Sequence, residues 1–359
     1  MAPDPTPASS VAIGDLEPAL QRYHRQILES HVGIGGQKRL RYSRAVLVGC
    51  GALGSALANT LARAGVGALR LIDRDYVELH NLQRQSLFDE HDVSAALPKA
   101  EAAARKLRRV NSAIEVDAVV ADVRAQTIAE HCRDADILLD GADNFETRFL
   151  LNDFAVQQAV PWVYGACIGS EGLVMAVRPG RTACLRCVWD EPPPPGMSPT
   201  CDTAGILGPT VEIVAGFQAL EAMKILMGLP DEALAGLLAI DAWSGRVRTL
   251  HTADPAQRAA CVCCGQKRFE YLDGTRAGGA VTLCGRNAVQ VQPTSAAAEV
   301  DLRAIADRLR GARAMCNEFL LRFQVDGLEF AVFRDGRAIV SGTSDPAKAR
   351  AAYAKYVGG

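Results

Sequence analysis

The sequence predicts an α/β protein with a mostly parallel sheet wrapped by helices, an antiparallel far end of that sheet, and a small α+β domain behind it. From Ala45 onward, short apolar runs alternate with helix-length segments, as in parallel strands joined by helices. Further along, the apolar runs at 162–164, 172–177, 237–240 and 246–250 include two neighbours spaced as in a hairpin. These neighbours predict the antiparallel far end.

The elements follow in order along the chain. In the first part, strands are predicted at 45–48, 69–72, 114–120, 137–139, 162–164, 172–177, 237–240 and 246–250, and helices at 56–64 and 99–109. In the second part, strands are predicted at 280–283, 288–291, 319–325, 329–334 and 338–341, and helices at 302–310 and 346–356. Asp326-Gly327 and Asp335-Gly336 predict tight turns, because both pairs tolerate positive φ.

Composition divides the chain into three parts. Residues 1–18 contain four prolines and no periodicity, which predicts a flexible leader. Residues 19–268 are expected to form the large domain, with a proline-rich crossover loop at about 188–208. Residues 269–359 are expected to form a small α+β accessory domain.

Charge and hydropathy exclude several classes of protein. The 39 basic and 41 acidic residues give a formal net charge of −2 without long runs of one sign, so no nucleic-acid partner is expected. No apolar stretch reaches the roughly 20 residues of a membrane span, and the leader lacks a secretory pattern. A cytoplasmic protein without a membrane partner is expected, and its eleven cysteines then indicate metal ligands or reactive thiols instead of disulfides.

A glycine-rich turn predicts a Rossmann-like nucleotide site. Gly49, Gly51 and Gly54 follow the first strand and open a helix, where glycines let a phosphate or ribose approach the backbone. Asp73 ends the next strand, 19 residues after Gly54, and can accept hydrogen bonds from ribose hydroxyls. The alternative is a glycine turn that is needed only for packing.

Charged and amide side chains at the following strand ends decide between two nucleotides. They are Asn81, Arg84, Lys99, Asp143, Asn144 and Arg148. The glycine turn alone fits a nicotinamide-dependent oxidoreductase, but this set suits a triphosphate with Mg²⁺ better, because a dinucleotide pyrophosphate is held mostly by backbone. Each of these residues, taken alone, also fits a solvated surface position.

Two CxxC pairs predict a structural zinc site. Cys184 and Cys187 form the first pair, and Cys261 and Cys264 form the second. Four thiolates would surround Zn²⁺ and leave no open position for catalysis. Cys263 is then a bystander or a substitute ligand, and the alternative to the whole site is a set of reduced thiols without metal.

Taken together, these motifs resemble the MoeB/ThiF adenylyltransferases of ubiquitin-like sulfur-carrier proteins, relatives of the ubiquitin-activating enzymes. The resemblance covers about residues 20–268. It is carried by Arg22–Gln26, Gly33, Gly36-Gln37, the glycine turn, Asp73 through Arg84, Lys99, Asp143-Asn144 and the CxxC pairs.

The resemblance implies a role for each matching residue. Gly49, Gly51, Ala52 and Gly54 would bind the nucleotide through their backbone, Asp73 the ribose, and Asn81, Arg84 and Lys99 the phosphates. Asp143 would serve the Mg²⁺ ion, with Asn144 as a further nucleotide-binding residue. Arg25 would reach into the neighbouring subunit of a homodimer, and Cys201 in the crossover loop would link covalently to the carrier or help to move sulfur. This chain departs from the family at His24, at Ala52 and by two extra residues before Lys99, which makes the assignment of Lys99 less direct.

The implied function is ATP-dependent adenylylation of the C-terminal glycine carboxylate of a carrier that ends in Gly-Gly, with release of pyrophosphate, ahead of thiocarboxylate formation. A sulfur-donating desulfurase is a further partner compatible with this function. The competing hypotheses are a related enzyme that activates a tRNA base, a non-catalytic partner subunit and the oxidoreductase. The C-terminal domain lacks a rhodanese-type catalytic loop and is expected to dock the carrier or to stabilise the fold.

Overall fold

Eight strands of the computed structural model form one sheet. They are β1 Arg44–Val48, β2 Ala68–Asp73, β3 Glu115–Val120, β4 Ile137–Asp140, β5 Trp162–Ile168, β6 Glu171–Val177, β7 Leu237–Asp241 and β8 Arg246–Leu250. The structure describes residues 12–193, 201–276, 282–283, 287–293, 300–309 and 314–358.

The strand order confirms the predicted α/β class. The sheet runs β3-β2-β1-β4-β5-β6-β7-β8, with parallel pairing from β3 to β5 and antiparallel pairing from β5 to β8. The parallel part has the order of a dinucleotide-binding sheet, in which ligands bind beyond the carboxyl ends of the strands, where the order reverses. That reversal lies between β1 and β4.

Twelve helices accompany this sheet among the described residues. They are α1 Pro18–Gln21, α2 His24–Ile27, α3 Gly33–Tyr42, α4 Ala52–Ala64, α5 Glu90–Ser94, α6 Lys99–Val110, α7 Ile128–His131, α8 Phe145–Gln158, α9 Leu185–Val188, α10 Cys201–Ala204, α11 Gly208–Leu226 and α12 Pro255–Ala260. Because side chains alternate along a strand, Leu47 packs with α4, α6 and α11 on one face, and Val46 packs with α8 on the other. No helix in the described ranges is long and apolar enough to cross a bilayer.

A second, antiparallel sheet follows. Its strands are β9 Thr282–Leu283, β10 Ala288–Val291, β11 Ala314–Cys316, β12 Leu320–Val325, β13 Leu328–Phe333 and β14 Ala338–Ser341, with helices α13 Leu302–Arg308 and α14 Pro346–Tyr356. The order is β11-β12-β13-β14-β10-β9. Asp326, Gly327 and Gly336 have φ of 51°, 73° and 79°, as the two predicted tight turns require.

Several helices of the first part were not predicted, and α8 and strand β11 show the physical reasons. Helix α8 was not predicted, because nine of its 14 residues are buried and its apolar residues therefore show no helical period. Strand β11 is three exposed residues at a sheet edge, too short for an alternating pattern. The predicted leader lies mostly outside the described residues, but Ile13–Asp15 form a 3₁₀ turn and Leu16 is buried with Leu20.

Replacing Gly54 by alanine should destabilise the fold. A Cβ at Gly54 would lie 1.9 Å from the carbonyl oxygen of Gly49, so backbone must shift. We expect the free energy of unfolding in urea to fall by at least about 2 kcal/mol. Gly35→Ala is the matched control, since a Cβ there would meet no described residue within 4 Å and alanine favours a helix by up to about 1 kcal/mol. Equal stability of the two variants would contradict the prediction.

Candidate functional site

The glycine turn brings the start of α4 to the ends of the strands. Gly49 has a φ of +93°, and its amide donates to the carbonyl of Ile72 at 2.8 Å. Among the described residues no side chain caps the N-terminus of α4, so the first amides of this 13-residue helix are available to an anion. In the described part of the chain, the nearest atom to a Cβ at Gly51 would be Gln85 Nε2, at 3.9 Å. The turn is therefore open where a phosphate would lie.

Asp73 holds the glycine turn in place. Its carboxylate accepts the amide of Cys50 at 2.6 Å and the amide of Asp75 at 2.7 Å. Burial raises the pKa of the Asp73 carboxyl, and the charge of Lys99 acts in the opposite direction. Each oxygen keeps a further lone pair, which suits the ribose hydroxyls that the sequence assigned to this residue.

Two buried amides lie on the segment 81–85, which reaches the open turn at Gln85. Asn81 Oδ1 accepts the amide of Glu78 at 3.1 Å, whereas its Nδ2 has no partner among the described residues. Gln85 Oε1 is likewise buried without a partner in the described part of the chain. Unsatisfied buried groups are unfavourable, so both amides fit contacts to a ligand. Gln85 was not predicted as a site residue; no local pattern marks it, and only its approach to Gly51 identifies it.

Lys99 lies against the same turn. It begins α6, it is 2 % exposed, and its Nζ lies 3.2 Å from Asp75 Oδ2. Its amide also donates to the carbonyl of Asp75 at 2.9 Å. The two extra residues before it therefore do not remove Lys99 from the strand ends. Arg84 is half-buried, and its Nη1 donates to the carbonyl of His80 at 3.0 Å.

The segment after β4 completes this edge. Asp143 is exposed, and it accepts the Asn144 amide at 3.1 Å. Asn144 Oδ1 caps α8 by accepting the Thr147 amide at 2.9 Å. Asn144 therefore orients Asp143, while its oxygen is used by the helix.

The guanidinium of Arg148 is not available to bind a nucleotide. It pairs with the buried Asp140 at 3.1 Å and donates to the carbonyls of Ala142 and Gly165 at 2.8 and 3.1 Å. The sequence hypothesis that grouped Arg148 with the phosphate-binding cations is therefore corrected, because its donors hold the end of β4 to β5.

The four cysteines of the two predicted CxxC pairs, each called a knuckle below, come together. Sulfur–sulfur distances are 3.8 Å for Cys184–Cys187, 3.7 Å for Cys184–Cys261 and 3.4 Å for Cys187–Cys264, and all four lie within 4.8 Å of one another. Four thiolates around a tetrahedral Zn²⁺, each about 2.3 Å from the ion, lie about 3.8 Å apart. The cluster therefore fits zinc. Cys263 is outside the cluster and accepts from Asn152 Nδ2 at 3.3 Å, so of the two hypotheses for it the bystander is retained.

Helix α8 supports the first CxxC pair and the segment that follows the second. Asn152 Oδ1 accepts the amide of Leu185 at 2.8 Å, and Asp153 Oδ2 accepts the amide of Tyr271 at 2.9 Å. Both side chains are fully buried. These supports were missed in the sequence, because nothing there distinguishes a buried asparagine or aspartate from an exposed one.

Two predicted site residues are not found at the glycine turn: Arg25 lies elsewhere, and the side chain of Cys201 is not described. Arg25 is exposed on α2, next to Gln26, whose Nε2 donates to the carbonyl of Ala64 at 2.9 Å. Cys201 begins α10, but its side chain lies outside the described part of the chain, as do residues 194–200 of the crossover loop. After the crossover loop, the amide of Leu207 donates to the carbonyl of Gly169. Helix α11 then starts at Gly208, beside the carbonyl of Gln83.

Comparisons with known proteins agree with this geometry. The model of the ThiF family matches residues 23–263. The sulfur carrier protein ThiS adenylyltransferase of Bacillus subtilis is 46% identical over 339 residues, which cover 94% of this chain and 99% of that protein. The SAMP-activating enzyme E1 of Haloferax volcanii is 41% identical over 255 residues, covering 71% and 92%.

A solved structure has the same fold. The crystal structure of E. coli MccB with MccA-N7isoASN aligns with a TM-score of 0.60 at 24% identity, covering 69% of this chain and 75% of that one. At this identity the likeness concerns the fold alone. The match of the family model, joined to the identity with the B. subtilis and H. volcanii proteins, shows that this chain belongs to the ThiF family.

Proposed function

We propose that this chain uses ATP to adenylylate the C-terminal glycine carboxylate of a small ubiquitin-like sulfur-carrier protein. The observation that carries the proposal is the uncapped start of α4 with Asp73 and Lys99 beside it. The relative from B. subtilis, named for adenylylation of the carrier ThiS, is similar over almost the whole of both chains. A carrier ending in Gly-Gly is the proposed partner.

The reaction needs alignment more than acid–base catalysis. A carboxylate oxygen of the carrier attacks the α-phosphorus, the bond to the bridging oxygen breaks, and pyrophosphate leaves with the electron pair. The product is a carrier acyl-adenylate, whose carbonyl can then react with a sulfur nucleophile to release AMP and form the thiocarboxylate. A carboxylate is already deprotonated at neutral pH, so no general base is required.

We assign the binding roles from position. The amides that begin α4 would receive a phosphate, with Asp73 on the ribose. Asn81, Arg84 and Lys99 would hold the remaining phosphate oxygens, and a single such contact can be worth roughly 3 kcal/mol in the transition state. Bound Mg²⁺ would neutralise phosphate charge, and Asp143 is the carboxylate that we propose for it.

We propose a homodimer in which Arg25 serves the site of the second copy. Its neighbour Gln26 is bonded to the C-terminal end of α4, and 13 helical residues span about 20 Å, so Arg25 lies far from the turn of its own chain. Ile34 on α3 and Ile213 and Leu220 on α11 are exposed. A second copy that covers them would bury this apolar surface.

We propose that Cys201 lies over the same edge of the sheet. Its helix α10 contacts β5, and the following residues return to Gln83. A thiolate there could attack the acyl-adenylate carbonyl and displace AMP, which would leave a thioester to the carrier. The donor of sulfur, such as a desulfurase, would act after adenylylation.

We propose that residues 269–359 form a separate accessory domain and that the four knuckle cysteines hold a structural Zn²⁺. The thiolates supply four ligands, so the ion would stabilise the fold without taking part in the chemistry.

ATP–pyrophosphate exchange tests the reaction. With Mg²⁺ and a Gly-Gly carrier, the wild type should exchange labelled pyrophosphate into ATP, and deletion of the carrier's last glycine should abolish this. Arg84→Ala and Asp143→Ala should each lower the exchange rate by about 100-fold or more. Arg63→Ala, which removes an exposed arginine bonded only to Asn59 among the described residues, is the control. No exchange with any carrier would refute the proposed substrate.

Doubly tagged heterodimers test the shared site. A heterodimer of Arg25→Ala and Asp143→Ala subunits should have one intact site and about half of wild-type exchange, because a two-fold dimer has two equal sites. A heterodimer of wild type with the Arg25→Ala/Asp143→Ala double variant should be inactive. If Arg25 acts within its own chain, the two results are exchanged.

Neighbouring cysteines test the metal. Wild-type protein should contain about one zinc per chain, and Cys184→Ser should lose it and unfold at a lower temperature. Cys263→Ser should keep the zinc, although Cys263 is as buried as Cys184. Elemental analysis with thermal unfolding gives the readout, and equal zinc in both variants would contradict the site.

A further inference from the structure

A buried arginine of the second sheet reaches the point where β2 ends. Arg337 precedes β14 and has no exposed surface, and its Nη1 donates to the carbonyl oxygen of Arg74 at 2.6 Å. Arg74 lies between Asp73, which holds the glycine turn, and Asp75, which holds Lys99. The guanidinium thus fixes the peptide that joins two carboxylates of the candidate ATP site.

The turn that carries Arg337 is itself well supported. The amide of Phe333 donates to the carbonyl of Arg337 at 2.8 Å, and the Tyr353 hydroxyl from α14 donates to the carbonyl of Gly336 at 2.6 Å. The guanidinium carbon of Arg337 lies 3.8 Å from the centre of the Phe333 ring. Its position is therefore set by the second sheet and α14.

A contribution to stability does not by itself explain why a buried arginine occupies position 337. Its Nη2 is buried and has no hydrogen-bond partner among the described residues. Removing a guanidinium from water is unfavourable unless its donors are satisfied, and apolar side chains of similar volume often replace buried charges without loss of stability. Its Nε lies 3.4 Å from Asp335 Oδ2 in its own turn, whereas the bond to the Arg74 carbonyl connects it to the segment after β2. An apolar residue would replace neither contact, but only the second reaches the candidate site.

The side chain of Arg74 is held from the same direction. Its Nη1 lies 3.3 Å from Asp122 Oδ1, and Asp122 Oδ2 accepts Nε2 of Gln290 on β10 at 2.8 Å. The second sheet thus controls both the carbonyl and the guanidinium of Arg74.

The segment before Lys99 is also held by the second sheet. Asn317 Nδ2 donates to the carbonyls of Ala95 and Ala96 at 3.0 and 3.1 Å. Ala96 has a φ of +48°, which is uncommon outside glycine, and these bonds offset its strain. Three residues later the chain reaches Lys99.

Tyr76 connects the segment that contains Arg74 with the segment that precedes Lys99. It forms a bridge with Pro98, and the guanidinium carbon of Arg322 lies 4.8 Å from the centre of its ring. Tyr76 and Ala96 are buried in one cluster with residues of the second sheet, including Leu320 and Phe333.

We propose that Arg337 is a positioning residue for nucleotide binding. By fixing the Arg74 peptide, Arg337 sets the spacing between Asp73 and the Asp75–Lys99 pair. The second sheet would thus control the affinity for ATP without contacting the nucleotide. The inference rests on the proposed function in one respect, namely that Asp73 and Lys99 bind ATP.

Direct binding of Mg-ATP without a carrier tests the effect on the site. In Arg337→Met, which keeps an apolar side chain and removes the donors, the Kd for ATP should rise about tenfold, as for loss of one hydrogen bond from a charged donor. Arg337→Lys, which keeps one charged donor, should recover part of the affinity. Phe323→Leu is the control, because Phe323 stacks on Phe330 within the second sheet, with centroids 4.7 Å apart, and belongs to a different apolar cluster from Tyr76 and Ala96. It should lower Tm and leave the Kd within about twofold of wild type.

Amide hydrogen exchange gives a readout that does not need ATP. The Val77 amide bonds to the Leu97 carbonyl and the Lys99 amide to the Asp75 carbonyl, both at 2.9 Å. Both amides should exchange faster in Arg337→Met and at the wild-type rate in Phe323→Leu.

The two measurements separate the outcomes. An unchanged ATP Kd in Arg337→Met, with wild-type protein that binds ATP, overturns the inference, and so does unchanged exchange at Val77 and Lys99. Faster exchange in a protein whose wild type binds no ATP would refute the proposed function and support the positioning of the two segments by Arg337.

Discussion

The candidate site depends on a close approach of backbone to backbone at Gly49, Gly54 and Gly141. A Cβ at Gly54 would lie 1.9 Å from the Gly49 carbonyl oxygen, and a Cβ at Gly141 would lie 2.2 Å from the same atom. With this contact, α4 starts directly at the strand ends, and the Cys50 amide comes within reach of Asp73. The uncapped amides, the carboxylate and Lys99 meet at one edge as a result.

The parts of this protein that follow local rules could be predicted from sequence. The glycine turn, the acidic end of β2 and the CxxC pairs each depend on a few neighbouring residues, and the structure contains all of them. The parts that could not be predicted depend on partners far along the chain. Arg148 looks like a phosphate ligand until its pairing with Asp140 is known, and helix α8 has no periodic pattern because it is buried on most sides.

Buried polar side chains mark the joints between the units of the fold. Asn152 joins α8 to the first CxxC pair, Asp153 joins it to Tyr271 beyond the second pair, and Arg337 joins the second sheet to the first. Burying such groups is unfavourable without good geometry, whereas hydrogen bonds fix direction in a way that apolar contacts do not. The apolar clusters stabilise each sheet with its helices, and these few polar contacts fix the position of one part relative to the next.

Helix α8 belongs to two sites at once. Its first turn is capped by Asn144, which also bonds Asp143, and Asn152 two turns later holds the backbone of the first knuckle. Eight residues of helix cover about 12 Å, so a rigid rod of that length links the thiolate cluster to the carboxylate beside the glycine turn. Loss of the proposed Zn²⁺ would therefore loosen α8 at Asn152, and a shortage of metal would then weaken the proposed ATP site at Asp143 without any competitor for ATP.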